Sequence, residues 1–90
     1  MATLRERKTY RQQVMKRLYE ATEGNRLLGV TGAQLRDDLG VHEEDLAAAC
    51  TYLVGEGLIA VDWATGNTPA MVTLTHQGIR IMEAEEEEQG

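Results

Sequence analysis

The hydrophobic pattern changes period at Gly57, and few folds accommodate that change in so short a chain. Ahead of it, apolar residues recur with the spacing of amphipathic helices. Beyond it, Leu58-Ile59-Ala60-Val61-Asp62-Trp63 and Met71-Val72-Thr73-Leu74 read as two strands. Ala64-Thr65-Gly66-Asn67-Thr68-Pro69 between them is turn chemistry, with Gly66-Asn67 at the tip, so the pair reads as a hairpin. Thr75 then caps a last helix that carries His76, Ile79, Ile81 and Met82. A chain of 90 residues, 42% hydrophobic, makes one domain around one thin core. It has no Phe, so Leu, Val, Ile, Met and Ala must do most of the packing.

Three helices are expected ahead of the hairpin. Nothing breaks a helix from Leu4 to about Glu23, and Gly24-Asn25 stops it. Tyr10, Val14 and Leu18 fall four apart, and Leu4, Met15, Tyr19 and Ala21 widen that stripe. Arg7 and Arg11 fall on the stripe, where their stems can cover apolar surface while their heads reach water. Leu27-Leu28-Gly29-Val30 is long enough only for a small edge strand. Thr31 and Gln34 then have capping-box spacing, Val30 and Leu35 that of a hydrophobic staple, and Gly40 ends a helix of about 32–39. Val41 and Leu46 make a second staple around His42, the expected N-cap of the third helix. Glu43, Glu44 and Asp45 fill its first turn, where the helix dipole favours carboxylates by roughly 0.3–1 kcal/mol each. Leu46, Ala49, Cys50 and Leu53 form its buried side. Glu44, Ala47, Ala48, Thr51 and Tyr52 form the opposite face, with Glu43 at the edge.

The wording of two junctions carries a resemblance. Leu53-Val54-Gly55-Glu56-Gly57-Leu58-Ile59 resembles the "LxxxGLI" step from recognition helix into wing. Leu74-Thr75-His76-Gln77-Gly78-Ile79 resembles the "LTxxG" step from wing into closing helix. The latter is common in bacterial regulators of the multiple-antibiotic-resistance and phenolic-acid-repressor types. The chain is thus identified as similar to the winged helix-turn-helix superfamily. The class expected is mainly α with a small β-hairpin wing (α+β), in the order α-(β)-α-α-β-β-α. The domain spans residues 1–84, and residues 85–90 form an acidic disordered tail. The resemblance implies a protein that binds DNA, often as a dimer, although a minority of the superfamily mediates protein contacts. Carried over by position, the DNA-reading residues are Glu43, Glu44, Ala47, Ala48 and Thr51 on the helix, and Ala64, Thr65, Gly66, Asn67 and Thr68 on the wing.

Charge runs against that implication. Between Arg36 and Arg80 there is no lysine or arginine, yet there are seven acidic residues: Asp37, Asp38, Glu43, Glu44, Asp45, Glu56 and Asp62. Lysine and arginine supply most non-specific affinity for phosphates, and base readout favours Arg, Asn and Gln. The net charge of −6 is also uneven: residues 1–20 carry +4 and residues 21–90 carry −10. The two ends attract, within one chain or across a dimer.

Two functions follow. In the leading one the chain is a protein-interaction or regulatory module, homodimeric through its first and last helices. Its acidic helix and wing then face a basic protein surface through Glu43, Glu44, Ala47, Ala48, Thr51 and Asn67. Trp63 is either an anchor for that contact or, sharing a strand face with Ile59 and Val61, part of the core; we favour the core. In the alternative, Arg5, Arg7, Lys8 and Arg11 hold DNA phosphates on the first helix. Catalysis is not expected. The chain has no serine, Cys50 faces the core, and the glycines form no phosphate loop. His42, Cys50 and His76 match no compact zinc spacing, so neither metal nor cofactor is expected. No apolar run approaches the ~18 residues of a membrane span, and the start has no signal-like apolar stretch. One cysteine suits a reducing compartment, and the expectation is a cytoplasmic protein with no membrane partner.

Overall fold

A computed structural model describes residues 3–25, 27–63 and 69–89. Its elements follow in the order α1 (Leu4–Thr22), β1 (Gly29–Val30), α2 (Gly32–Leu39), α3 (Glu43–Gly55), β2 (Ile59–Trp63), β3 (Pro69–Leu74) and α4 (His76–Gln89). Helix boundaries have local causes. Thr3 and Glu6 form a reciprocal capping box at the start of α1, a pattern the sequence contains and our reading passed over. The two Thr3 hydrogen bonds hold the Glu6 carboxyl below its usual value. At α2 only half of the expected box forms. The Thr31 hydroxyl accepts from the Gln34 amide at 3.1 Å, but the Gln34 side chain turns to Asp38, at 2.7 Å. Gly40 ends α2 in the left-handed region, at φ 64°, where a Cβ would be strained.

The sheet is antiparallel with β3 in the centre, in the order β1-β3-β2. Val30 and Val61 flank Val72, and Ile59 lies opposite Leu74. Val30, Ile59, Val72 and Leu74 are buried against Val14, Met15 and Leu18 of α1, Leu35 of α2, and Leu46, Ala49, Cys50 and Leu53 of α3. A fully buried Leu, Val or Ile stabilises by roughly 1.5–3 kcal/mol, so this set is the main source of stability. The buried side of α3 is the one its spacing predicts. Ala21, expected on the α1 stripe, is exposed instead, and the buried neighbour is Thr22. Thr22 tolerates burial because its hydroxyl donates to the Leu18 carbonyl at 2.7 Å.

Two expectations about the wing need correction. Pro69 belongs to β3 rather than to the turn. It is the first residue of its strand, where a missing N–H costs no interior ladder bond, and it is buried. Trp63 is not in the core. Burial fades along β2 from Ile59 at 2% exposed to Trp63 at 44%. The three side chains share a face, but the strand outruns the helices that cover it. Asp62 pairs with Met71 and Trp63 with Pro69, so Ala70 is a surplus residue that breaks the ladder there. The turn tip Ala64–Thr68, Asn67 included, lies outside the described residues.

The two junction motifs meet in space. The Thr75 hydroxyl donates to the Gly57 carbonyl at 2.6 Å and accepts from the Gly78 amide at 3.1 Å. The Thr75 amide donates to the Leu58 carbonyl at 3.1 Å. A Cβ at Gly78 would collide with that same carbonyl. "GLI" and "LTxxG" are therefore two halves of one joint, which sets where α4 leaves the sheet.

That helix runs to Gln89, through the stretch expected to be a disordered tail. Its last turns oppose local preference. Glu83, Glu85, Glu86, Glu87 and Glu88 place like charges three and four apart, at about 0.2–0.5 kcal/mol per pair. They also sit at the helix end where the dipole disfavours carboxylates.

Candidate interaction surfaces

On α3, Glu43, Glu44, Ala48 and Thr51 are exposed and Ala47 is half-buried, so these five candidate residues share one accessible side. His42 occupies the N-cap but makes no side-chain cap bond. Glu43, Glu44 and Asp45 fill the first turn, in keeping with the dipole. The Thr51 hydroxyl donates to the Ala47 carbonyl at 2.8 Å. Within the described residues no Lys or Arg lies on this helix or on either hairpin strand.

Tyr52 turns towards α1. The Arg11 guanidinium lies 3.8 Å from the centre of its ring, an attraction between a cation and the ring's negative face. Arg11 Nε also donates to the Arg7 carbonyl at 3.2 Å. Sequence spacing had placed Arg11 on the apolar stripe but gave no means of choosing its aromatic partner. Around this pair lies a groove of about 510 Å³. Leu4, Tyr10 and Tyr52 line it, with Arg7 and Arg11 on one bank and Glu44 and Asp45 on the other. Burial, and then Glu6, raises the Tyr10 phenol above its ordinary pKa. The fold thus brings part of the basic candidate set beside part of the acidic one.

Arg5, Arg7 and Lys8 are exposed, and none of them forms an ion pair among the described residues. Arg17 is different. Its Nε meets Asp38 Oδ2 at 2.9 Å, tying α1 to α2. That bond, followed by the one from Gln34, holds the Asp38 carboxyl below its ordinary value. No local pattern announces a pair so far apart in sequence.

The basic and acidic ends of the chain meet within one molecule. The Tyr19 hydroxyl donates to Glu83 at 3.1 Å, and burial, then Glu83, raises the Tyr19 phenol above its ordinary pKa. Lys8 and Arg11 share a groove of about 280 Å³ with Ile81, Met82 and Glu85. Lys16 shares another, of about 670 Å³, with Glu85 and Glu86. The candidate set Arg5, Arg7, Lys8 and Arg11 leaves out Lys16, which the fold places beside Glu85 and Glu86.

The remaining reactive side chains do not assemble. Cys50 is buried, and burial pushes its thiol up to about 11, so it is a core residue rather than a nucleophile. Among the described residues, no three His, Cys, Asp or Glu side chains are grouped to hold a metal ion. No helix among them is long and apolar enough to cross a membrane.

Four helices, a three-stranded antiparallel sheet and the locked joint between hairpin and closing helix define a winged helix-turn-helix fold. A MarR family regulator from Neisseria meningitidis is similar in structure. The match has a TM-score of 0.61 at 20% sequence identity, over 87% of this chain and 54% of that one. The chain therefore spans about half the length of that regulator. No protein-family model matches the sequence, and no curated protein matches it.

Proposed function

We propose that this chain is a winged-helix regulatory module that meets a basic protein surface through α3 and pairs with a second copy through α1 and α4. The likeness to a MarR family regulator supports a regulatory role. One observation carries the choice of partner. The face a winged helix offers to DNA holds Glu43 and Glu44 here, with Ala47, Ala48 and Thr51, and no cation. Phosphates would be repelled from it, whereas Lys and Arg side chains would be drawn to it. Half-exposed Trp63 at the base of the wing supplies an aromatic anchor of the kind interfaces favour.

The test uses a fluorescent Arg/Lys-rich peptide as the basic probe. Glu43→Gln/Glu44→Gln should weaken its binding about fivefold or more, since charge-assisted contacts at an interface contribute over 1 kcal/mol. Undiminished binding by the double variant would sink the role of α3.

A second reading has its own support: Arg5 and Arg7 on α1 stand exposed and unpaired among the described residues, open to a phosphate backbone. Binding of labelled generic duplex that collapses between about 50 and 200 mM salt, and is lost in Arg5→Glu/Arg7→Glu, would favour it over the first.

A further inference from the structure

The exposed acidic end of α4 shares two grooves with cations of α1. Lys8 and Arg11 lie across one groove from Glu85, and Lys16 lies across the next from Glu85 and Glu86. The Tyr19–Glu83 hydrogen bond, at 3.1 Å, pins the near end of this stretch to α1. None of these carboxylates closes to a direct ion pair among the described residues. Attraction between opposite charges does not require a direct pair, since screening at physiological salt sets in over about 8 Å. A helix end that local preference would unwind thus lies beside the most basic element of the molecule.

We propose that the end of α4 is an internal polyanion that occupies the cationic side of α1 and must be displaced before a nucleic-acid backbone can be held there. The proposal rests on the second reading above, DNA contact through α1. It adds that such contact is masked in the free protein. Lys8 and Arg11 are the hinge of the argument, because they belong both to the candidate phosphate-binding set and to the groove shared with Glu85. Duplex and α4 compete for the same two side chains. Displacement frees the last turns of α4 to unwind, since their own charges repel.

The test compares two full-length variants with equal net charge. One carries Glu85→Gln, Glu86→Gln, Glu87→Gln and Glu88→Gln. The other carries Glu23→Gln, Asp37→Asn, Glu56→Gln and Asp62→Asn, away from α4. Each loses four negative charges from a net −6. With labelled generic duplex at about 50 mM salt, the α4 variant should bind on the order of tenfold more tightly than the other, with a steeper salt dependence. Hydrogen exchange at residues 83–89 of the unaltered protein should quicken when duplex is added, and should already be fast in Lys8→Gln/Lys16→Gln. Equal gains in the two charge variants would reduce the effect to bulk charge and overturn the masking. Absence of binding by both would overturn DNA contact through α1 itself. Unchanged exchange in Lys8→Gln/Lys16→Gln would overturn the hold on α4, whatever the duplex does.

Discussion

A side chain at position 78 has no room, because a Cβ there would run into the Leu58 carbonyl. Gly55 is the useful contrast, with no atom within 4 Å of the corresponding position. Gly78→Ala should cost about 1–3 kcal/mol, the usual penalty for overpacking. That lowers Tm by roughly 4–8 °C per kcal/mol in a domain of this size. Gly55→Ala should leave Tm unchanged or raise it slightly, since Ala is the better helix former. Equal melting of the two variants would show that the joint yields and that the Gly78 contact is not what places α4. The motif was legible in the sequence, but its cause was not. Gly78 and Thr75 answer to Gly57 and Leu58, about twenty positions away, and only the closed hairpin brings the four together. Trp63 failed for the opposite reason. Its alternation with Ile59 and Val61 was read correctly, but alternation says which face a residue takes and not where the covering layer stops.

Among elements, the start of each helix was readable because capping is local, and the limits of α2 and α3 fall where Thr31, Gly40 and His42 put them. What ties one helix to the next was not readable, and Arg17–Asp38 is the clearest instance. Its pH dependence has a definite sign. The Asp38 pKa is lowered in the folded chain, first by Arg17 and then by Gln34, from an ordinary value of 3.8. Its contribution is therefore present at pH 7 and down to the ordinary value, and is lost as pH falls through the depressed folded value. Asp38→Asn should melt a little below the unaltered protein at pH 7, and the gap should close as the pH is taken from about 4 towards 2. A gap that stays constant over that range would mean the carboxylate's charge plays no part in joining α1 to α2. The end of α4 is a related case. Its glutamates predict fraying when taken alone, and the cations that face them lie on another element.

At the scale of the whole molecule, the charge gap survived the fold, and of the two settings open to the meeting of the termini the structure shows the one within a chain. A two-fold arrangement would have joined the acidic end of one chain to the basic start of another. Within one chain α4 already shares grooves with Lys8, Arg11 and Lys16, which leaves less electrostatic attraction to hold two copies together. Apolar surface remains on the same side of the molecule. Leu4 is 67% exposed, Tyr52 50% and Ile81 37%, and all three border the grooves along α1. Burying them is the driving force available for pairing through α1 and α4, and hydrophobic association is little affected by moderate salt. Sedimentation equilibrium should accordingly find a species of twice the 10.0 kDa chain mass. Its dissociation constant should change less than about threefold between 50 and 500 mM salt. Leu4→Glu/Ile81→Glu should return it to a monomer, because two carboxylates would then have to be buried at the seam. A dimer that falls apart in salt would restore charge pairing between chains and would also remove the ground for an α4 held by its own α1. A dimer that persists in the double variant would place the seam elsewhere, with the exposed face of α3 the next surface to substitute.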